Sequence, residues 1–141
     1  MFRKLFAAAA ICLVSTAALA QFGNGGTPFH LVAANTNNST LVAKGTHVVT
    51  SVQLGGVGSA PAYLKIYDKA TAPTCGTDTP IATLIIPAAS TAANGGGSNV
   101  AYGDTGLLVV NGLGICVVTG IADNDNTAVA AATFVVNVNF K

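Results

Sequence analysis

Residues 63–80 read YLKIYDKATAPTCGTDTP, from Tyr63 to Pro80. The first seven side chains sort by period two. Leu64 and Ile66 fall on one face, and Lys65 and Lys69 fall on the other with Tyr63 and Tyr67 beside them. This predicts a half-buried strand whose lysine-bearing face is covered by aromatic rings. Pro73 removes a backbone donor, and Gly76 supplies conformational freedom. Thr74, Thr77, Asp78 and Thr79 can bond nearby backbone, so a rigid turn-rich loop follows the strand. Pro80 keeps Thr79 extended, and Ile81 to Ile86 is a second short strand closed by Pro87.

Further strands are expected on both sides. Phe29 to Ala34, Leu41 to Lys44 and Thr46 to Leu54 precede the loop. In the last of these, Val48, Val52 and Leu54 are read on one face, with Val49, Ser51 and Gln53 on the other. NTNNST (35–40) is a polar turn, and its overlapping sequons at Asn37 and Asn38 are read as turn residues. GGVGSA (55–60) leads through Pro61 into a strand and not a helix, so it is no dinucleotide loop. Ala88 to Ala93 has room for one helical turn within a long surface loop. Ser98 to Tyr102 is a short strand. Leu107 to Val110 and Ile115 to Thr119 flank NGLG (111–114), the signal of a hairpin. Ala128 to Phe140 closes the domain, with Phe134, Val136, Val138 and Phe140 on one face and Asn137, Asn139 and Lys141 on the other. Seven or eight short strands, and no amphipathic helix after residue 21, predict an all-β antiparallel β-sandwich of jelly-roll or immunoglobulin-like type. The Trp of immunoglobulin cores is missing.

The first 20 residues read as a secretory signal peptide. Arg3 and Lys4 precede the apolar run Leu5 to Val14, and Ala18-Leu19-Ala20 gives the small-x-small cleavage pattern. The run is too short and too alanine-rich to be a membrane anchor. Ile11 before Cys12 is too large for the usual lipoprotein site. Residues 21–28 are expected to be a flexible Gly/Asn-rich arm, and residues 29–141 a single domain. Export places the chain in the periplasm or outside the cell. The remaining 121 residues suffice for one domain that buries about two-thirds of its unfolded surface.

After residue 20 there are four lysines and five aspartates, a formal charge of −1, and the chain contains no Glu. That balance gives no electrostatic basis for binding nucleic acid or an anionic membrane surface. With charged residues at only 8% of the chain, the composition suits either surfaces that tolerate close neighbours, as in an assembly, or a compact thermostable secreted domain. Cys75 and Cys116 can pair as a disulfide in an oxidising compartment, or stand as two thiols.

Candidate chemistry is sparse. His30 and His47 sit in no nucleophile–base motif. The two histidines and two cysteines lack zinc-ligand spacing, and no cofactor motif is found. Asp123 and Asp125, in ADNDNT, are the candidates for a calcium site, without the glycine or closing Glu of an EF-hand. Tyr63, Lys65 and Tyr67 form a candidate binding face, and Tyr63, Tyr67 and Tyr102 are the rings available for stacking on carbohydrate.

LKIYDKATAPTCGTDTP (64–80) and GLGICVVTGIADNDNTAVAA (112–131) together resemble small virion-associated proteins of tailed bacteriophages and prophages. The resemblance lies in the Tyr-Asp-Lys strand end, the PTxGTDTP-like loop, the late glycine-rich hairpin and the acidic DxDNTA-like loop, over about the last 80 residues. It implies a non-enzymatic β-sandwich that decorates or joins virion parts, with self-association or virion proteins as partners and the virion as location. The other expectation is an exported cell-surface binding module, adhesin-like or carbohydrate-binding. An enzyme ranks below both.

Overall fold

The computed structural model describes residues 26–90 and 95–141. The expected signal peptide, residues 21–25 of the expected arm, residues 91–93 of the expected helical turn and Asn94 lie outside them. Nine strands are present among the described residues: β1 (Thr27–Val32), β2 (Thr40–Lys44), β3 (His47–Gly56), β4 (Ala62–Asp68), β5 (Ala82–Ile86), β6 (Gly96–Ala101), β7 (Leu107–Val109), β8 (Gly112–Val118) and β9 (Phe134–Phe140). β1 takes in Thr27 and Pro28, which the sequence reading left in the arm. There is no helix among the described residues, and Ala88 to Ser90 are not helical.

The strands form two antiparallel sheets. One runs β1-β9-β3-β6, with β7 pairing the start of β3; the other runs β2-β8-β4-β5. With the three-residue β7 set aside, the pairing is nested. The first strand pairs with the last (β1 with β9), the second with the second-last (β2 with β8), then β3 with β6 and β4 with β5.

The core lies between the sheets and follows from period-two alternation. Phe134, Val136, Val138 and Phe140 of β9 are buried, and Val135, Asn137 and Asn139 turn outward. Leu64 and Ile66 of β4 and Ile115 and Val117 of β8 meet Val52 and Leu54 of β3 in the same cluster. Each such aliphatic side chain contributes about 1.5–3 kcal/mol by leaving water.

Two expectations fail here, for identifiable reasons. The pairing of β3 with β9 shifts register between Val49 and Ser51. This bulge resets the alternation, so Val49, not Val48, joins Val52 and Leu54 in the core. Thr50, the extra residue, donates its hydroxyl to the Asn139 carbonyl at 3.1 Å. Secondly, Asn111-Gly112 does not make a hairpin. β7 stays in the first sheet with β3, and β8 crosses to the second. Asp68 holds that corner. Its Oδ1 accepts from the backbone N–H groups of Val110, Asn111 and Gly112 at 3.0, 2.6 and 3.3 Å. A carboxylate from a different strand satisfies the backbone donors of this corner.

The outer faces of the two sheets differ. On the first, the middle row runs His30, Asn137, Gln53, Asn99 across β1, β9, β3 and β6, each opposite the next. Pro28, Asn139, Ser51 and Ala101 form the row on one side, and Val32, Val135, Gly55 and Gly97 the row on the other. The outer face of the second sheet is not open. It carries a small core of its own.

Candidate functional site

The outward positions of β4 are Tyr63, Lys65 and Tyr67, and those of β8 are Val118, Cys116 and Gly114, paired in that order. The alternation predicts a candidate binding face here, its lysines covered by the tyrosine rings and its outer side free. In the fold, Lys65 and Tyr67 are 0% exposed and Tyr63 is half-buried. The segment between β4 and β5 and the segment after β8 lie over the face, so β4 is buried on both sides. A period-two pattern with polar members on one side cannot distinguish water from a covering loop.

The first covering segment is the loop between Asp68 of β4 and Ala82 of β5. Cys75 is joined to Cys116 of β8 by a disulfide, with Cα atoms 6.1 Å apart. Tyr67, Cys75, Cys116 and Val118 form one buried cluster, with Tyr63 packed against it. Pro73 packs on Gly114, where an added Cβ would lie 3.0 Å from the proline ring. Asp78 closes the loop on itself. Its Oδ2 accepts from Lys69 Nζ at 2.5 Å and from the Thr74 N–H at 2.6 Å. Those hydrogen bonds, the lysine's first, hold its carboxyl below the usual carboxylate range.

The second covering segment contains Asp123 and Asp125. Its oxygens do gather around a cation, but the cation belongs to the protein. Lys65 Nζ donates to the carbonyls of Ala122, Asp123 and Asp125 at 2.5, 3.2 and 2.9 Å. All three ammonium donors are thereby matched, which makes a fully buried lysine tolerable. The Asp125 carboxylate turns back on its own loop, accepting from the Gly120 N–H and the Thr127 hydroxyl, both at 2.8 Å. Burial pushes that carboxyl up, but the hydrogen bonds from Thr127 and Gly120 and the charge of Lys65 outweigh it, and the net shift is downward. The calcium candidates are thus placed in a loop already organised by an ammonium group. No cluster of three or more His, Cys, Asp or Glu side chains suited to a metal occurs among the described residues.

The two loops also touch each other. Gly76 has φ +82°, and an added Cβ there would lie 2.8 Å from the Asn124 carbonyl oxygen. A left-handed backbone and a close approach both require glycine at this point.

The remaining candidates are scattered. His30 lies on the first sheet, with Nδ1 2.6 Å from Asn137 Oδ1. His47 Nε2 is 3.0 Å from the Lys44 carbonyl, and its ring stands edge-on to Phe140 at 5.1 Å. The three tyrosines do not display ring faces as a stacking platform, since Tyr67 is buried and Tyr63 and Tyr102 are half-buried. Burial, with the charges of Asp78 and Asp123, pushes the Tyr67 phenol up to about 12. No described helix is long and apolar enough to cross a membrane.

Two structural residues escaped the sequence reading. In the sequence Asp68 is only the middle of a Tyr-Asp-Lys triplet. Its three N–H partners lie more than 40 positions away, and no local signal announces them. Asn38 was read as an ordinary turn residue. It is buried, with φ 52°, and its side chain bonds Ala34 N, Ala34 O and Thr36 O at 2.7, 3.1 and 2.8 Å. The Asn and Thr density of 35–40 was the available signal.

No protein-family model matches the chain, and no curated protein matches it. Among solved structures, the coat protein of Tobacco streak virus aligns over 85% of this chain and 90% of its own, at 13% identity and a TM-score of 0.32. The architecture above rests on this chain's own strand order and not on that distant likeness.

Proposed function

We propose that the chain is a non-enzymatic structural protein, a jelly-roll β-sandwich that acts through protein–protein contacts as a decorating or connecting part of a virion. The nested strand pairing is that of a jelly roll, an architecture common in capsid and lectin domains. Fold alone does not carry function. The observation that carries it is the use made of the ionised side chains. Lys65, Asp68, Asp78 and Asp125 each fasten a loop or corner of the sandwich. Loops fastened in this way suit a surface that is contacted.

The test is native sedimentation of the protein from its source, followed by mass spectrometry of the particle fraction. Recovery with particles supports the role, and recovery only as free protein rejects it. A second reading is an exported cell-surface binding module. The Cys75–Cys116 bond favours it, because disulfides persist in oxidising compartments. Secreted material whose N-terminus is Gln21, absent from particles, would select that reading.

A further inference from the structure

Among the described residues, one outer face of the sandwich is covered by the chain itself, and nothing lies over the other. The open face belongs to the β1-β9-β3-β6 sheet. Its three rows contain no Asp, Glu, Lys or Arg, and its middle row is His30, Asn137, Gln53 and Asn99 in direct register. Gln53 and Asn99 are exposed. We propose that this face is a self-association surface on which a second copy of the chain stacks, with the two-fold axis running along the strands. The inference rests on the protein-contact reading above and names the surface and the partner.

Charge is the first argument for a second copy. Stacking like on like sets a face against itself, and like charges placed opposite one another are destabilising. These rows carry no such charge. At one end of the face, Lys141 continues the outward alternation of β9, and Asp104 borders a hollow with Ser51, Ala101 and Asn139. A two-fold axis along the strands exchanges the sides of the sheet but keeps its ends together. It therefore brings Lys141 of one copy toward Asp104 of the other, opposite in sign.

Hydrogen-bonding chemistry is the second argument. Each carboxamide is both donor and acceptor, so a carboxamide row is complementary to itself. The same axis sets Asn137 over the Gln53 of the other copy, and His30 over its Asn99. A neutral polysaccharide would also accept such groups. It would want exposed aromatic rings for stacking, and the rows offer only the imidazole of His30.

The size of the contact sets its strength. Four strands about 4.8 Å apart and six residues of about 3.3 Å each give a flat area of about 400 Å². That is below the ~800 Å² per partner of a stable complex, so the pair is a weak one that forms at high protein concentration.

The test is a dilution series of the isotope-labelled protein, from millimolar to micromolar, followed by NMR. The side-chain amide signals of Gln53, Asn99 and Asn137 are expected to shift together with concentration. Gln53→Lys places two ammonium groups close to the axis and should weaken association at least about tenfold. Its circular dichroism should be unchanged. Asn99→Lys, on an edge strand, is the second variant. Signals that do not move with concentration in the wild type overturn the assignment. So does a neutral glucan that moves them when dilution does not. If the protein nevertheless travels with particles, the face assignment alone fails; if it does not, the parent reading fails too.

Discussion

Lys65 and Cys116 stand directly opposite each other on β4 and β8, and each fastens a different loop to the same sheet face. Lys65 holds the segment after β8 through three carbonyls, and Cys116 holds the loop before β5 through its bond to Cys75. The two loops then meet at Gly76 and Asn124. One cross-strand pair thus organises the whole outer layer.

Removing the ammonium should release one of the loops. Lys65→Met keeps the length of the side chain but leaves three carbonyls without their shared donor. The expected loss is about 3 kcal/mol, since hydrogen bonds to charged groups are among the stronger ones and orphaned buried acceptors are costly. Urea denaturation measures it. Limited proteolysis should then cut within residues 119–127 of the variant before it cuts the wild type.

The disulfide should contribute comparably. Closing a loop over 41 positions stabilises by about 4 kcal/mol on the chain-entropy model. Replacing both Cys75 and Cys116 by Ala should lower the thermal midpoint accordingly. Both sulfurs are almost fully buried, so a mild reductant should leave the folded protein intact and act once it is unfolded. Thiol alkylation with and without urea, read by mass, checks this.

Stability should fall in acid. The carboxyls of Asp68, Asp78 and Asp125 are all held below the usual range, Asp68 chiefly by the backbone N–H of Asn111. A depressed carboxyl contributes stability that is complete above its unfolded value, about 4, and is lost as pH falls through its folded value. Urea midpoints should therefore be flat near neutrality and drop below about pH 4. Asp68→Asn should flatten that drop and weaken the β7–β8 corner at neutral pH.

Tyr67 should behave in the opposite sense. Its hydroxyl is buried with no hydrogen-bond partner among the described residues. Tyr67→Phe keeps the ring and removes the unpaired group, so a gain of about 1 kcal/mol is expected. The raised phenol also predicts that wild-type stability falls as pH climbs from about 10 toward 12, because the unfolded chain releases this proton first. The Phe variant should lose that part of the alkaline decline, as denaturation across the alkaline range would show.

The sequence by itself determined that this is a chain of short strands. The evidence was local: alternation along 134–140, prolines closing Ile81 to Ile86, turn residues between apolar runs, and the scarcity of helix-forming charged residues. Local pattern also located the loops that now cover the second sheet. It did not decide what each loop meets. Lys65 alternates as a solvated residue would, and only the folded chain puts three carbonyls over it. Asn111-Gly112 has the composition of a hairpin, and only Asp68 makes it a passage between sheets. Tertiary structure decided these points because a side chain's pattern records which way it faces, while its partner is chosen by segments far along the chain.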